Sequence, residues 1–204
     1  MHEFSLDIIL DFIGSFAFCL SGASVGSIHK MDFFGVYIMA VVTGFGGGCL
    51  RDIILGNNPP FLFHTPIYWA IALVATLLIF ISLTNKYKII LLLINIFDAV
   101  GLAFFTIVGI KAGLDKHLQA YQCIIMGVLT ACFGGVIRDV IVNKIPYLFH
   151  KEIYASISIG GGVLFFLCRP FIKEPYVEFM VIGLIFIVRI FVMRFDLHLP
   201  KARG

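Results

Sequence analysis

A ten-residue stretch occurs twice in this chain of 204 residues, each time inside an apolar run. Thr43-Gly44-Phe45-Gly46-Gly47-Gly48-Cys49-Leu50-Arg51-Asp52 returns 87 residues later as Thr130-Ala131-Cys132-Phe133-Gly134-Gly135-Val136-Ile137-Arg138-Asp139. The threonines, the last two glycines and both charges stay in register. Upstream, at the same offset, Asp11, Gly14, Gly22 and Gly26 fall on Asp98, Gly101, Gly109 and Gly113. Downstream the offset shortens by one, so that Pro60, Leu62, Phe63, His64, Ile67 and Tyr68 fall on Pro146, Leu148, Phe149, His150, Ile153 and Tyr154. Shared types at so many aligned positions mark an internal duplication.

The surroundings of the repeat fix the class of fold. Hydrophobic residues make up 60% of the chain and charged residues 13%, with a mean hydropathy of +1.03. That exceeds what a soluble domain carries, and a membrane span needs about 20 residues. Seven candidates follow, at roughly 5–27, 32–56, 66–84, 88–110, 119–143, 152–168 and 176–195. The expected fold is an all-α polytopic membrane protein, a single membrane domain over 1–204. Repeat one covers about 8–84, repeat two about 88–168, and the seventh helix about 176–195 stands outside the duplication. Net charge of +3 then speaks to topology and gives no reason to invoke nucleic acid. The five cysteines lie in apolar segments without CxxC spacing, as small packing residues do. The first residues lack Lys and Arg, so a cleaved secretory signal is not expected.

Three spans per repeat is an odd number, so the second repeat must thread the membrane in the opposite sense to the first. Inverted repeats place discontinuous helices near the midplane, here spans 2 and 5. Lys30, Lys86, Lys88, Lys144, Lys151, Lys201 and Arg203 gather on one side, against Lys116, Arg169 and Lys173 on the other. The positive-inside rule puts the N-terminus outside and the C-terminus in the cytoplasm.

The polar residues inside the spans are the candidates for function. Each glycine of Gly44, Gly46, Gly47 and Gly48, or of Gly134 and Gly135, costs a helix about 1 kcal/mol against alanine, so the clusters predict kinked or unwound segments. The competing reading is that small residues admit a crossing helix. Thr43 and Thr130 open the two motifs. Arg51, Asp52, Arg138 and Asp139 lie a turn or two beyond the glycines, where charges cannot face lipid cheaply. Adjacent residues on a helix point about 100° apart, so each Arg is expected not to pair with its own Asp. Pairing across the repeats, Arg51 with Asp139 or Arg138 with Asp52, and separate pairings elsewhere both stand open. Asp98 sits about ten residues into span 4 and needs a polar interior, either a structural hydrogen bond or a place on a permeation path. Spans 1 and 4 carry small-xxx-small faces, Gly22 to Gly26 and Gly109 to Gly113, for close helix contact within or between protomers. Arg189 in span 7 fits a salt bridge as well as a function. His64 and His150 have no partner at metal-ligand spacing, so neither a metal nor a cofactor is called for.

Two copies of a glycine cluster followed by Arg-Asp, within three-plus-three spans and a lone seventh, resemble the prokaryotic branch of the TRIC family, the trimeric intracellular cation channels. The resemblance runs over about residues 8–195 and is carried by Gly46-Gly47-Gly48 with Arg51-Asp52-Ile53-Ile54-Leu55-Gly56, and by Gly134-Gly135 with Arg138-Asp139. It implies a homotrimer in the cell (inner) membrane, with lipid around it. It also implies a separate pore in each protomer, permeable to potassium or other monovalent cations and bent at spans 2 and 5. Phe133 departs from the pattern by standing where a third glycine would complete the second cluster. The repeat unit is also similar to small bacterial membrane proteins described as glycine transporters.

Function classes narrow accordingly. The chain has no HExxH, no GxSxG and no cluster of His, Cys and carboxylates, so no enzyme is expected. A channel and a secondary carrier of glycine or another small solute both suit inverted repeats. Lys111 near the end of span 4, where the first repeat has the neutral Ser24, is a candidate for voltage sensing. The plainer role of such a lysine is to snorkel to the headgroups.

Overall fold

The computed structural model describes residues 6–82, 87–150, 153–195 and 197, without the side chains of 82, 87–90 and 150. Among the described residues every regular element is helical: α1 (Leu6–Ile28), α2 (Phe33–Ile54), a 3-10 turn (Phe61–Phe63), α3 (Ile67–Ser82), α4 (Tyr87–Asp115), α5 (Ala120–Ile141), the short α6 (Tyr147–His150), α7 (Ala155–Cys168) and α8 (Tyr176–Arg194). By length and composition α1, α2, α4, α5 and α8 can each cross a membrane; α3 and α7 are shorter, at 16 and 14 residues. Of the seven expected spans, the five at α1, α2, α4, α5 and α8 agree with the helix bounds to within two residues, except that α4 runs on past 110 to Asp115. Lys86, Lys151, Lys201 and Arg203, with the side chains of Lys88 and His150, lie outside the described residues.

Helix ends repeat as faithfully as helix interiors. Lys30 after α1 and His117 after α4 both take positive φ, as do Gly56 after α2 and Asn143 after α5. The peptide N–H of Asn57 reaches back to the Asp52 carbonyl at 2.8 Å, and that of Lys144 to the Asp139 carbonyl at 2.9 Å. These bonds satisfy carbonyls that the ends of α2 and α5 would leave orphaned. Asp32 starts α2 by accepting the Gly35 N–H at 2.7 Å.

At the centre lies α1, packed on α2, α3 and α4, while α4 packs on α5, α7 and α8, and α2 crosses α5. The small faces of α1 and α4 are used inside the protomer. A Cβ on Gly22 would collide with the Met39 carbonyl and Thr43, and one on Gly109 with the Met126 carbonyl and Thr130. The two central crossings are reciprocal: Gly14 lies under Phe105 and Gly101 under Phe18, whose rings stand 5.3 Å apart. Likewise Gly47 abuts the Thr130 carbonyl and Gly134 the Thr43 carbonyl. Apolar side chains gain nothing by leaving lipid for one another, so such close backbone approach is what associates helices here.

The glycine clusters therefore do not unwind their helices. Both α2 and α5 are continuous through Gly44, Gly46, Gly47, Gly48, Gly134 and Gly135. At all of them but Gly135, where a Cβ would make only ordinary contact, what the glycines contribute is the absence of a Cβ where a facing backbone carbonyl or side chain stands. Of Gly160-Gly161-Gly162 in α7, which the duplication left unexplained, the last two act in the same way, with Gly161 against Ile185 of α8 and Gly162 against Ile124 of α5, whereas a Cβ on Gly160 would meet open space.

Candidate functional site

Both Arg-Asp pairs sit just before the end of a helix, and the loop that follows orients the aspartate. Asp52 accepts the Phe61 N–H through Oδ2 and the Arg51 Nε–H through Oδ1, each at 2.9 Å. Asp139 accepts the Tyr147 N–H at 3.2 Å and the Arg138 Nε–H at 2.9 Å. Each arginine thus pairs with its own neighbour, against the expectation from the 100° helical step. The loop N–H draws the carboxylate round, and the long guanidinium chain curls back to meet it. Neither Arg51 with Asp139 nor Arg138 with Asp52 forms an ion pair among the described residues. Instead Arg138 donates to Asp98 and to the Ser21 hydroxyl, both at 2.8 Å, so its link between repeats runs through a hydroxyl.

Beyond that shared pairing the two halves differ. In the first, the Tyr68 hydroxyl donates to Asp11 at 2.7 Å, and the described bonds of Arg51 go to Asp52 alone. In the second, Arg138 holds Asp98, and the hydroxyl of Tyr154, the counterpart of Tyr68, is buried without a partner among the described residues. The Arg189 guanidinium covers the Tyr154 ring at 4.7 Å and donates to the Ile153 carbonyl at 3.3 Å. Among the described residues Arg189 has no ion pair, so the salt bridge weighed for it is absent there.

Two cavities open beside these clusters, at opposite ends of α1. One of about 270 Å³ is lined by Asp7, Asp11, Arg51, Asp52, Tyr68 and Lys111 among others. The other, about 500 Å³, is lined by residues that include Val25, His29, Asn95, Arg138, Asp139 and Lys144. Asp11 and Val25 are 14 residues apart on one helix, hence ~21 Å along its axis. Between the cavities stands the reciprocal glycine crossing of α2 and α5. Among the described residues the hydroxyls of Thr43, set against Gly22 of α1, and of Ser15 and Ser24 along α1 are buried without a hydrogen-bond partner, whereas Thr130 bonds the Met126 carbonyl at 2.7 Å. An orphaned buried hydroxyl costs about 1–3 kcal/mol, so three on the central helices α1 and α2 are a feature to be explained.

Lys111 lies within α4 and not at its end. Its ammonium pairs with Asp7 and with Glu178 of α8, the latter at 2.6 Å. His64 Nε2 lies 2.8 Å from the Pro59 carbonyl oxygen, and no group of three or more metal-ligating side chains occurs among the described residues. Sequence reasoning missed Ser21, Glu178 and the roles of Tyr68 and Tyr154. The tyrosines were visible as repeated positions, and Glu178 as an acid beside an apolar span, which is itself a functional signal.

Comparison with known proteins agrees with the repeat. A family model described as Glycine transporter matches the chain at residues 8–84 and again at 95–170. The UPF0126 inner membrane protein YadS of Escherichia coli (strain K12) is 31% identical over 193 residues, covering 94% of this chain and 93% of that protein. The UPF0126 membrane protein YvgT of Bacillus subtilis (strain 168) is 34% identical over 162 residues, covering 76% of this chain and 77% of that protein. Among solved structures, the TRIC trimeric intracellular cation channel orthologue from Rhodobacter sphaeroides superimposes with a TM-score of 0.88 at 30% identity, covering 95% of this chain and 100% of that one. A prokaryotic TRIC channel does so with a TM-score of 0.90 at 29% identity, covering 97% and 100%. With two matches to one family model and full-length likeness to these structures, the chain belongs to the glycine-transporter repeat family of TRIC-type membrane proteins.

Proposed function

We propose that the protein is a potassium-permeable monovalent cation channel, with a pore through each protomer of a homotrimer in the inner membrane. One observation carries the reading: two cavities with charged residues in their walls, at opposite ends of α1, separated by the glycine crossing of α2 and α5. The Thr43 hydroxyl, which lies against Gly22 of α1 and has no partner among the described residues, gains one if water or a hydrated cation enters where α1, α2 and α5 meet, and the gate is then the crossing itself. Gly46, Gly47 and Gly134 close it by contact, in place of hinging broken helices, while Gly44 lies against Cys19, Gly48 against Phe61, and Gly135 makes only ordinary contacts. At the crossing the Thr43 carbonyl faces Gly134 and the Thr130 carbonyl faces Gly47, while their hydroxyls lie against Gly22 of α1 and Gly109 of α4. Arg51, Asp52, Asp98, Arg138 and Asp139 form the mouths, where each arginine is neutralised by at least one aspartate and so does not repel an entering cation as a bare charge would. The proposed topology has seven crossings, with repeat one about 8–84, repeat two about 88–168 and α8 as the seventh. It places the N-terminus outside and the C-terminus in the cytoplasm. The solved TRIC structures, named as cation channels, support this reading.

A second reading, a carrier for glycine, is favoured by the description of the matching family and by the closed middle between two cavities. The two readings part in a planar bilayer. Protein whose mass in detergent corresponds to three copies is expected to give steady unitary currents that reverse near the potassium equilibrium potential. Saturable, coupled glycine flux in vesicles without unitary current would replace the channel by the carrier.

Within the channel reading Lys111 is the proposed voltage-responsive charge. Moving one charge through the whole membrane field is worth about 2.3 kcal/mol per 100 mV, so partial movement suffices to bias a gate several-fold. Recording open probability against voltage for Lys111→Gln is expected to give a flattened slope; an unchanged slope leaves Lys111 as an anchor.

A further inference from the structure

We infer that Glu178 of α8 is the positioning residue for Lys111, and that the unduplicated helix thereby sets the resting state of the mouth formed by the first repeat. The duplication itself supplies the first step. At the position of Lys111 the first repeat has Ser24, and α8 has no counterpart at all, so lysine and glutamate are both additions to a symmetric pair of mouths. Their geometry shows what they were added for. Glu178 is fully buried, its Oε1 accepts from the Lys111 ammonium at 2.6 Å, and its Oε2 has no hydrogen-bond partner among the described residues. A carboxylate buried that deeply and satisfied on one oxygen only is costly unless its cation stays in place. The neighbouring Glu174 is not an alternative anchor, since it pairs with Arg169 at 3.2 Å.

Lys111 has a second acid, however, on the other side. Asp7 lines the smaller cavity together with Lys111 and is about half exposed on its side chain, where Glu178 is closed off. The ammonium is therefore shared between a buried acid on α8 and a hydrated acid at the start of α1. Weakening the buried partner moves the charge toward the cavity; weakening the hydrated one moves it toward α8. This inference rests on the channel reading and on Lys111 as its voltage-responsive charge, but the pairing beneath it does not.

Two measurements separate these layers. In the bilayer, Glu178→Gln is expected to change the open-to-closed ratio at zero voltage by about tenfold, as loss of one charge-assisted hydrogen bond does, while the slope with voltage is retained. Glu178→Asp, which keeps the charge, restores part of the native ratio, and in a Lys111→Gln background Glu178→Gln has no further effect. In detergent, a double-mutant cycle of the same two substitutions on thermal stability is expected to be non-additive. An unchanged open-to-closed ratio beside a non-additive cycle means that Glu178 is structural only and overturns the positioning role. An additive cycle overturns the pairing as well. Should the native protein pass no current, the channel reading fails, and the positioning role, which is defined on its gate, falls with it, while the cycle still decides the pairing.

Discussion

Alanine at Gly47 or at Gly134 is expected to cost the protein about 3 kcal/mol or more, enough to lose most of the folded material from a detergent preparation. The Cβ of either residue would stand far under 3.0 Å from a backbone carbonyl oxygen of the facing helix, Thr130 for Gly47 and Thr43 for Gly134. A backbone atom cannot rotate away, so α2 and α5 must separate, and in lipid no hydrophobic drive holds them together once their close contact is lost. The gain in helix propensity from glycine to alanine, about 1 kcal/mol, offsets only part of this. Gly135 supplies the control inside the same cluster. Its nearest neighbours would be the Arg138 guanidinium and the Tyr154 hydroxyl, both at 3.6 Å, which is ordinary contact. Gly135→Ala is expected to leave thermal stability unchanged or slightly raised, and Gly46→Ala, which meets only the movable Cδ1 of Ile137 at 2.8 Å, to fall between. Hinge glycines would behave otherwise, because the loss of flexibility would be similar at all of these positions. Equal melting points for Gly47→Ala and Gly135→Ala would refute the contact reading and restore the hinge.

That contrast shows why the sequence was legible only to a certain depth. Span limits were readable because apolar runs end in turn chemistry, as at Gly56-Asn57-Asn58-Pro59-Pro60, and the structure ends α2 at Ile54 for that reason. The duplication was readable because it is a comparison of the chain with itself, and it reappears as paired contacts 87 residues apart, such as Gly22 on Met39 and Gly109 on Met126. The purpose of the glycines was not readable. A glycine weakens a helix if nothing presses on it and strengthens an assembly if a carbonyl does, and only the facing helix distinguishes the two. The Arg-Asp pairing was misjudged in the same way: the local rule for neighbours on a helix knew nothing of the Phe61 and Tyr147 N–H groups that turn the aspartates. The extent of α4 was underestimated because Lys111 looked like an end of the apolar run, yet Asp7 and Glu178 provide for its charge inside the bundle.

The other large effect is expected at Arg138. Its guanidinium is buried to within 1% and satisfies Asp98, Asp139 and Ser21 at once. Arg138→Met leaves two buried carboxylates facing each other without a cation, and breaking a buried pair in this way costs about 3–5 kcal/mol. The corresponding Arg51→Met is expected to cost less than half as much. Asp52 is its only described acceptor, the carboxylate keeps the Phe61 N–H, and Asp11 keeps the Tyr68 hydroxyl. Two arginines that the duplication made equivalent are thus predicted to differ sharply in melting temperature. Equal losses at both would mean that the asymmetric bonding of the two mouths has no energetic weight. The second variant separates folding from function. Arg138→Met combined with Asp98→Asn removes the worst of the orphaned charge, and Asp139 then keeps the Tyr147 N–H as Asp52 keeps that of Phe61. This pair is expected to recover most of the lost stability, and its currents then report on the mouth alone. If Arg138 holds Ser21 of α1 against α5 to keep the larger cavity shut off from the crossing, the folded double variant stays open longer than the native channel. Native open times in a fully folded double variant would assign Arg138 to stability and leave the gate to the glycine crossing.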